Sequence, residues 1–197
     1  MNYQWLDEDE ALRLCRNGDT AAYAVIVRRY QSEALRFTYL ITGERGAAED
    51  AAQDAFLDAY LHIRRYDPNR PFRPWLYKIL SNAALKKRRK PQPEPLDDNT
   101  PSPADPHTEA VRDEQSATMQ LALAQLPEAQ RAALVLKYYS GFSENEIAAI
   151  TGAHVGTVKS RLHYGKLALE RIIRERYPWL ANEHAASPLT FDKETVK

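Results

Sequence analysis

Residues 146–166 read EIAAITGAHVGTVKSRLHYGK, two short helical patterns that meet at Gly152. Apolar residues recur at every third or fourth position in both halves, as one buried stripe on a helix requires. Upstream, Ser143 and Glu146 have the spacing of a capping box, which marks the start of a helix. A helix, a short turn containing glycine and a second helix form a helix-turn-helix pattern.

The second helix carries polar groups opposite its apolar stripe, because successive residues of an α-helix turn by about 100°. Short hydroxyl groups, cations and a flat aromatic ring suit base edges and phosphates in a major groove. An ordinary solvated face is the alternative interpretation of the same pattern. The outward side chains are Thr157, Lys159, Ser160, Arg161, His163 and Tyr164.

A proline-rich segment divides the chain of 197 residues. Residues 91–106 read PQPEPLDDNTPSPADP and hold six of the twelve prolines. This composition predicts a semi-extended, acidic linker. We therefore predict an N-terminal domain over 1–90, a linker over 91–113, a C-terminal domain over 114–177 and a polar tail over 178–197.

The N-terminal part has helical periodicity throughout. We predict a first helix capped by Asp7, a second capped by Thr20, a third from about Ala47 to Arg65, and a fourth opened by Pro74. No segment shows sustained strand alternation. The predicted fold is all-α, with a four-helix N-terminal domain and a small helix-turn-helix domain joined by a flexible linker.

Charge is unevenly distributed although the net charge is zero. Residues 61–90 contain ten Lys or Arg and one acid, whereas residues 91–115 contain seven acids and one Arg. Aromatic residues alternate with these cations, a pattern typical of single-stranded nucleic acid binding, although Trp75 fits a packing role better than base stacking. The aromatic residues are Tyr66, Phe72, Trp75 and Tyr77, and the cations beside them are Arg65, Arg70, Arg73 and Lys78.

An acidic face is predicted on the third helix. The residues alone leave two interpretations open, a solvated surface or a docking site for a basic partner, and they favour the first. Its members are Asp50, Gln53, Asp54, Leu57 and Asp58.

Several classes of protein are not indicated. With Cys15 as the one cysteine, no disulfide can form within the chain, and no apolar run approaches the ~20 residues of a membrane span. The N-terminus lacks a signal core, so we expect a cytoplasmic protein without membrane insertion. The five histidines lack metal-site spacing, and there is no glycine-rich phosphate loop. We therefore expect a protein that is not an enzyme and that binds no metal or cofactor.

The chain from about Ala11 to Arg176 resembles the extracytoplasmic-function (ECF) sigma factors of bacterial RNA polymerase. The matching stretches are AYAVIVRRY at 22–30, AEDAAQDAF at 48–56, RPFRPWLYKILSNAALKKRR at 70–89 and the helical segment at 121–166. Their order, their spacing and the acidic linker together make the resemblance specific.

The resemblance implies that the third helix docks on the clamp of the polymerase largest subunit, through Asp50, Gln53, Asp54 and Leu57. It also implies that the following loop and the fourth helix open the −10 promoter element and hold the non-template strand. A flipped base would be captured near Tyr66 and Asn82, since extruding a base costs a few kcal/mol that a pocket must offset. The implied −10 residues are Tyr66, Asn69, Arg73, Tyr77, Lys78, Asn82, Lys86 and Arg89.

For the helix-turn-helix, the resemblance implies recognition of the −35 element as duplex DNA. Base-facing positions are occupied by Lys159, Ser160, His163 and Tyr164, whereas Thr157 and Arg161 would hold phosphates, with Lys166 beside them. The family often has Arg at positions 164 and 166, where this chain has Tyr164 and Lys166. The loss of a bidentate donor to guanine at position 164 bears on the expected upstream sequence preference. The implied partners are core RNA polymerase (clamp and flap regions), promoter DNA in duplex and single-stranded form, and an anti-sigma factor.

A stand-alone helix-turn-helix regulator, binding duplex DNA as a dimer, is the alternative. It explains the C-terminal domain but leaves the acidic face and the aromatic loop without a role. Such a regulator would bind its operator without polymerase, whereas a sigma factor would need the core enzyme.

Overall fold

The computed structural model describes residue 3, residues 6–88 and residues 117–179. Within these ranges the chain forms helices and no strand, which confirms the predicted all-α fold. The predicted linker over 91–113 lies outside the described residues, as does the predicted tail beyond residue 179.

Four α-helices form the N-terminal domain. A 3₁₀ turn over Ile63–Arg65 follows the third of them. The helices are α1 (Glu8–Arg16), α2 (Thr20–Thr42), α3 (Arg45–His62) and α4 (Phe72–Arg88).

Three predicted helix starts differ from the observed ones by one or two residues, and α3 begins at Arg45 where about Ala47 was predicted. Asp19, and not Thr20, caps α2, because its carboxylate accepts hydrogen bonds from the backbone N–H groups of Ala21 and Ala22. Pro74 is the third residue of α4 and not the first. A proline is tolerated there because the first N–H groups of a helix have no intrahelical partner.

Helix α3 packs against both α2 and α4 and buries a face of small residues. Ala48, Ala51 and Ala55 are each fully buried, so the neighbouring helices approach closely. A buried hydrogen bond fixes one contact, since the Thr38 hydroxyl of α2 donates to the carbonyl of Ala48 at 2.9 Å.

The C-terminal domain contains the predicted helix-turn-helix. Helix α5 covers residues 117–124 and α6 covers Glu128–Leu134, continued by a π-helical turn over Val135–Tyr139. The helix-turn-helix itself consists of α7 (Glu144–Thr151) and α8 (Val155–Arg176).

The local signals predicted for the helix-turn-helix are present. The capping box of Ser143 and Glu146 has both of its hydrogen bonds, and it lowers the pKa of the Glu146 carboxyl. Gly152 ends α7 in the left-handed conformation, with φ of 66°. Helix α8 buries its predicted stripe, including Val158 and Leu162.

The two domains pack directly against each other, a contact that the sequence patterns did not predict. Helix α4 contacts α7, and the end of α2 contacts α6. Arg131 is 1% exposed, and its guanidinium donates to the carbonyl of Ile41 at 2.9 Å as well as to those of Ala124 and Leu126.

Candidate polymerase and nucleic-acid interfaces

The predicted docking residues of α3 form one exposed face, which we call the acidic face: Asp50, Gln53, Asp54 and Leu57. Leu57 is 60% exposed, and Leu61, one turn further on, is 65% exposed. Carboxylates beside exposed leucines are suited to a partner that offers both cations and apolar groups.

Lys87 of α4 reaches the acidic face and contacts two of its carboxylates. Its ammonium nitrogen lies 2.9 Å from Asp50 and 3.1 Å from Asp54. The hydrogen bonds to Asp50 and then to Asp54 raise the pKa of Lys87. Because the two carboxylates are four residues apart and would repel each other, Lys87 holds them together on one side of α3. We did not predict this contact.

The loop between α3 and α4 encloses a cluster of aromatic rings. Tyr66 is 5% exposed, and its ring packs 5.3 Å from Phe72 and 5.5 Å from Trp75. Burial raises the pKa of the Tyr66 hydroxyl, which donates to the carbonyl of Arg70. Tyr66 therefore packs inside the loop in this conformation. Trp75 is half-buried in the same cluster, as its predicted packing role requires.

Asn69, Lys78, Asn82 and Lys86 are exposed. The last three recur every four residues and form one outward stripe on α4, so a cation, an amide and a second cation lie in line. Asn69 lies in the loop, where its amide donates to Asp67 at 3.1 Å. Arg89 lies outside the described residues.

Two other predicted −10 residues, Arg73 and Tyr77, lie on a different side of α4. Tyr77 is 1% exposed, and its ring lies 4.9 Å from that of Phe142 in the C-terminal domain. Burial raises the pKa of Tyr77 to about 12. Arg73 lies 4.7 Å from the centre of the Phe142 ring and donates to the carbonyl of Ser140 at 2.8 Å. The described members of the predicted −10 set therefore lie in three places: the solvent-exposed surface, the aromatic cluster of the loop, and the interface between the domains.

A cleft of about 470 Å³ separates the loop from α7. Trp75 and Lys78 line one wall, and Asn145, Ala149 and Ile150 of α7 line the other. The cleft is thus shared by the two domains.

Helix α8 presents the predicted −35 residues on its outer side. Tyr164 is 60% exposed, and its ring lies 5.2 Å from that of His163. Lys159 lies 3.8 Å from Glu144, and Lys166 lies 4.0 Å from Glu170. The exposed members are Thr157, Lys159, Ser160, His163 and Tyr164, whereas Arg161 and Lys166 are half-buried.

Two properties of the described part of the chain bear on other functions. Its residues include no group of three or more His, Cys, Asp or Glu that could hold a metal ion. None of the helices in that part has the length and apolar character to cross a bilayer.

Comparison with known proteins identifies the family. The family model of Sigma-70 region 2 matches residues 26–93, and that of Sigma-70, region 4 matches residues 116–169. The ECF RNA polymerase sigma factor SigW of Bacillus subtilis is 35% identical over 178 residues, which cover 83% of this chain and 95% of SigW. The chain belongs to the ECF sigma factors. Sigma factors are transcription initiation factors rather than enzymes.

Other relatives of this sigma factor are sigma factors as well. The ECF sigma factor RpoE of Cereibacter sphaeroides is 32% identical over 161 residues, 78% of this chain and 86% of that protein. The RNA polymerase sigma-H factor of Pseudomonas aeruginosa is 29% identical over 184 residues, 85% of this chain and 94% of its own. These findings support the sigma factor and not the alternative of a stand-alone regulator.

Solved structures share the fold of this sigma factor. CnrH, in complex with the cytosolic domain of CnrY, matches with a TM-score of 0.66 and 21% identity over 86% of this chain and 98% of that one. The sigma factor RpoE of Bartonella quintana, in complex with the anti-sigma factor NepR, matches with a TM-score of 0.62 and 24% identity. The match covers 77% of this chain and 96% of that one.

Proposed function

We propose that this sigma factor docks on core RNA polymerase through the acidic face of α3, opens the −10 element with the loop and α4, and reads the −35 element with α8. The observation that carries the proposal is the presence of three chemically distinct surfaces on one chain. They are an acidic and apolar face, a basic and aromatic loop with its helix, and a polar recognition helix.

The acidic face suits a polymerase surface with basic residues. Its carboxylates are held by Lys87, with nitrogen–oxygen distances of 2.9 and 3.1 Å, so they are fixed before a partner arrives. Fixed side chains lose less conformational entropy on binding. Leu57 adds apolar area beside them, and the clamp of the largest subunit is the proposed partner.

The loop and the outer stripe of α4 supply what a melted −10 strand needs. Lys78 and Lys86 are exposed and would neutralise phosphates, while Asn82 lies between them as a hydrogen-bonding group for a base. Trp75, which is half-buried in the aromatic cluster with Tyr66, lines the same cleft as Lys78 and offers a ring on which a base could stack.

Helix α8 has the form of a recognition helix. Its first turns point Ser160, His163 and Tyr164 into solvent, away from the buried stripe that packs α8 against α6 and α7. Each good base contact contributes ~1–3 kcal/mol of discrimination. Backbone contacts from Thr157 and Arg161 would set the register of the helix on the duplex.

Two further parts of the proposal concern regulation and place of action. We propose that an anti-sigma factor holds this chain and that it acts in the cytoplasm, where its polymerase is. One structural relative, RpoE, was solved in complex with the anti-sigma factor NepR, and another, CnrH, in complex with the cytosolic domain of CnrY.

The experiment that tests the proposal reverses the charge of the acidic face. Asp50→Lys with Asp54→Lys is expected to weaken binding to core RNA polymerase by at least about tenfold in a fluorescence anisotropy titration, since like charges then face the basic partner. Asp9→Lys with Glu175→Lys makes the same change in net charge at exposed sites elsewhere and is expected to bind normally.

Because the charge reversal also brings lysines near Lys87, Asp50→Asn with Asp54→Asn serves as a milder variant. It is expected to fold normally by circular dichroism and still to lose affinity. Equal binding by both acidic-face variants and by the control would contradict the docking proposal.

A further inference from the structure

The cleft between the loop and α7 has the size and the lining of a small-molecule site. Its volume of about 470 Å³ falls within the ~300–1,000 Å³ that is typical of such sites, which are mostly apolar with a few polar groups that orient the ligand. Rings, prolines and aliphatic side chains from both domains line the cleft: Tyr66, Pro71, Pro74, Trp75, Ala149 and Ile150. The cleft thus has the apolar lining of a ligand site, and its polar groups decide the kind of ligand.

Trp75 supplies the surface on which a flat ring can stack. It lines the cleft and is half-buried in the aromatic cluster. Its ring lies 5.5 Å from that of Tyr66 and 5.5 Å from that of Phe72, so packing fixes its orientation. Stacking on an aromatic side chain stabilises any nucleobase, because every base has a π-face. A ring that is already held in place loses little conformational entropy when a ligand binds.

The charged groups at the edge of the cleft differ between its two walls. On the loop side, Arg70 pairs with Asp67 at 3.5 Å, whereas Arg65 and Lys78 are exposed and form no ion pair with any residue that the structure describes. On the α7 side, Glu146 accepts the hydrogen bonds of the capping box, which lower the pKa of its carboxyl and keep it ionised. An anionic group is therefore attracted to the loop side and repelled from the α7 side.

We propose that this cleft binds a free mononucleotide, or another small molecule with a flat aromatic ring and an anionic group. The ring stacks on Trp75, the anionic group faces Arg65 and Lys78, and Asn145 and Ala149 of α7 close the opposite side. A nucleotide within a DNA strand has the same chemistry. However, α7 supplies half of this site, whereas the surface proposed for the melted strand belongs to the N-terminal domain alone. The ligand site therefore does not depend on the proposed promoter contacts.

A ligand held between the two walls would also stabilise the contact between the domains. The cleft exists only while α7 lies beside the loop, so a molecule that binds there favours this arrangement by mass action. The effect grows with the concentration of the ligand relative to its dissociation constant. The concentration of a nucleotide would thereby influence how readily the two domains of this sigma factor separate.

The first pair of variants fills the cleft from its α7 wall, so that no proposed polymerase-binding or DNA-binding residue is changed. Ala149 is exposed and lines the cleft, so Ala149→Phe places a ring in the space of the ligand. Ala24→Phe puts the same ring at an exposed position of α2 that does not line the cleft, and it is the matched control.

The second pair of variants tests the charge of the site. Arg65→Gln removes a cation from the edge of the cleft and leaves a polar side chain there. Arg64→Gln removes the exposed neighbouring cation, which does not line the cleft, and is the control. This pair keeps the site testable even if Ala149→Phe destabilises the C-terminal domain.

Two measurements are made on the full chain with guanosine 5′-monophosphate (GMP) as the probe, because a purine has the larger stacking surface. Isothermal titration calorimetry measures binding, and thermal melting with and without GMP measures its effect on the packed protein. Guanosine, which lacks the anionic group, and ribose 5-phosphate, which lacks the ring, are titrated as partial ligands.

GMP is expected to bind at one site per chain and to raise the melting temperature. Guanosine and ribose 5-phosphate are expected to bind at least about tenfold more weakly, since each lacks one of the two contacts. Ala149→Phe and Arg65→Gln are expected to weaken GMP binding by a similar factor, and both controls to match the unmodified chain. Absence of GMP binding would overturn the proposal. Equal binding by Ala149→Phe and the unmodified chain would overturn it as well, because the loop alone would then hold the nucleotide, as it would a DNA strand.

Discussion

Arg131 gives the sharpest test of the packing that joins the two domains. It is 1% exposed, and its guanidinium donates to three carbonyl groups, those of Ile41, Ala124 and Leu126. Arg131→Ala removes these donors together and leaves a space in the core. The Ala124 carbonyl ends helix α5 and the Leu126 carbonyl lies in the turn after it, so the substitution also removes a cap from α5.

The expected loss of stability follows from these contacts. A buried acceptor left without a donor costs about 1–3 kcal/mol, so three of them with a cavity exceed about 3 kcal/mol. Part of this is offset, because burial lowers the pKa of Arg131 to about 10 and its Nε is without a hydrogen-bond partner. Removing the buried cation also removes the free-energy cost of its desolvation, which offsets part of the lost stability. We expect a net destabilisation of about 3 kcal/mol.

Urea denaturation followed by circular dichroism measures this change. With a slope of ~1–3 kcal/mol per molar urea, the midpoint is expected to fall by at least about 1 M. Arg171→Ala, at an exposed site on α8, is the control and is expected to leave the midpoint in place. A midpoint for Arg131→Ala equal to that of the unmodified protein would refute the assigned role of the buried guanidinium.

Three further predictions concern α8 and the core. Ser160→Ala with His163→Ala is expected to weaken holoenzyme binding to a −35 duplex by roughly tenfold or more, at ~1–3 kcal/mol per base contact; unchanged promoter choice in a transcription assay would remove α8 from that role. Gly165→Leu is expected to lower the melting temperature clearly, because even a Cβ at Gly165 would lie 3.2 Å from Leu134; an unchanged melting curve would contradict this close packing. Burial raises the pKa of Cys15 to about 11, so alkylation by iodoacetamide at pH 8 is expected to be about a hundredfold slower than in urea; equal rates would refute its burial.

The features that the sequence predicted well are local ones. Helical periodicity and the glycines at helix ends located most helices, because both signals lie within a few residues of the element they define. The outward side of α8 followed from its buried stripe, and the structure leaves Ser160, His163 and Tyr164 exposed. The capping box of Ser143 and Glu146 was predicted from its spacing and is formed.

The features that escaped prediction depend on contacts between distant segments. The sequence placed Tyr77 among DNA-binding residues, but its ring is buried against Phe142. Five consecutive cations end the basic segment. Their pattern does not indicate that Lys87 contacts the carboxylates of α3, because this contact depends on how α3 and α4 pack. No local sequence pattern indicates that Arg131 donates to a carbonyl near the end of a helix in the other domain.

The role of this chain as a sigma factor is tested most directly by mixing it with bacterial core RNA polymerase. The purified complex would then be used for run-off transcription from a genomic promoter library. Stoichiometric binding is expected, with new transcripts from a restricted set of promoters that share −35 and −10 elements. Failure to bind the core enzyme, together with tight binding of duplex DNA by the protein alone, would contradict this role.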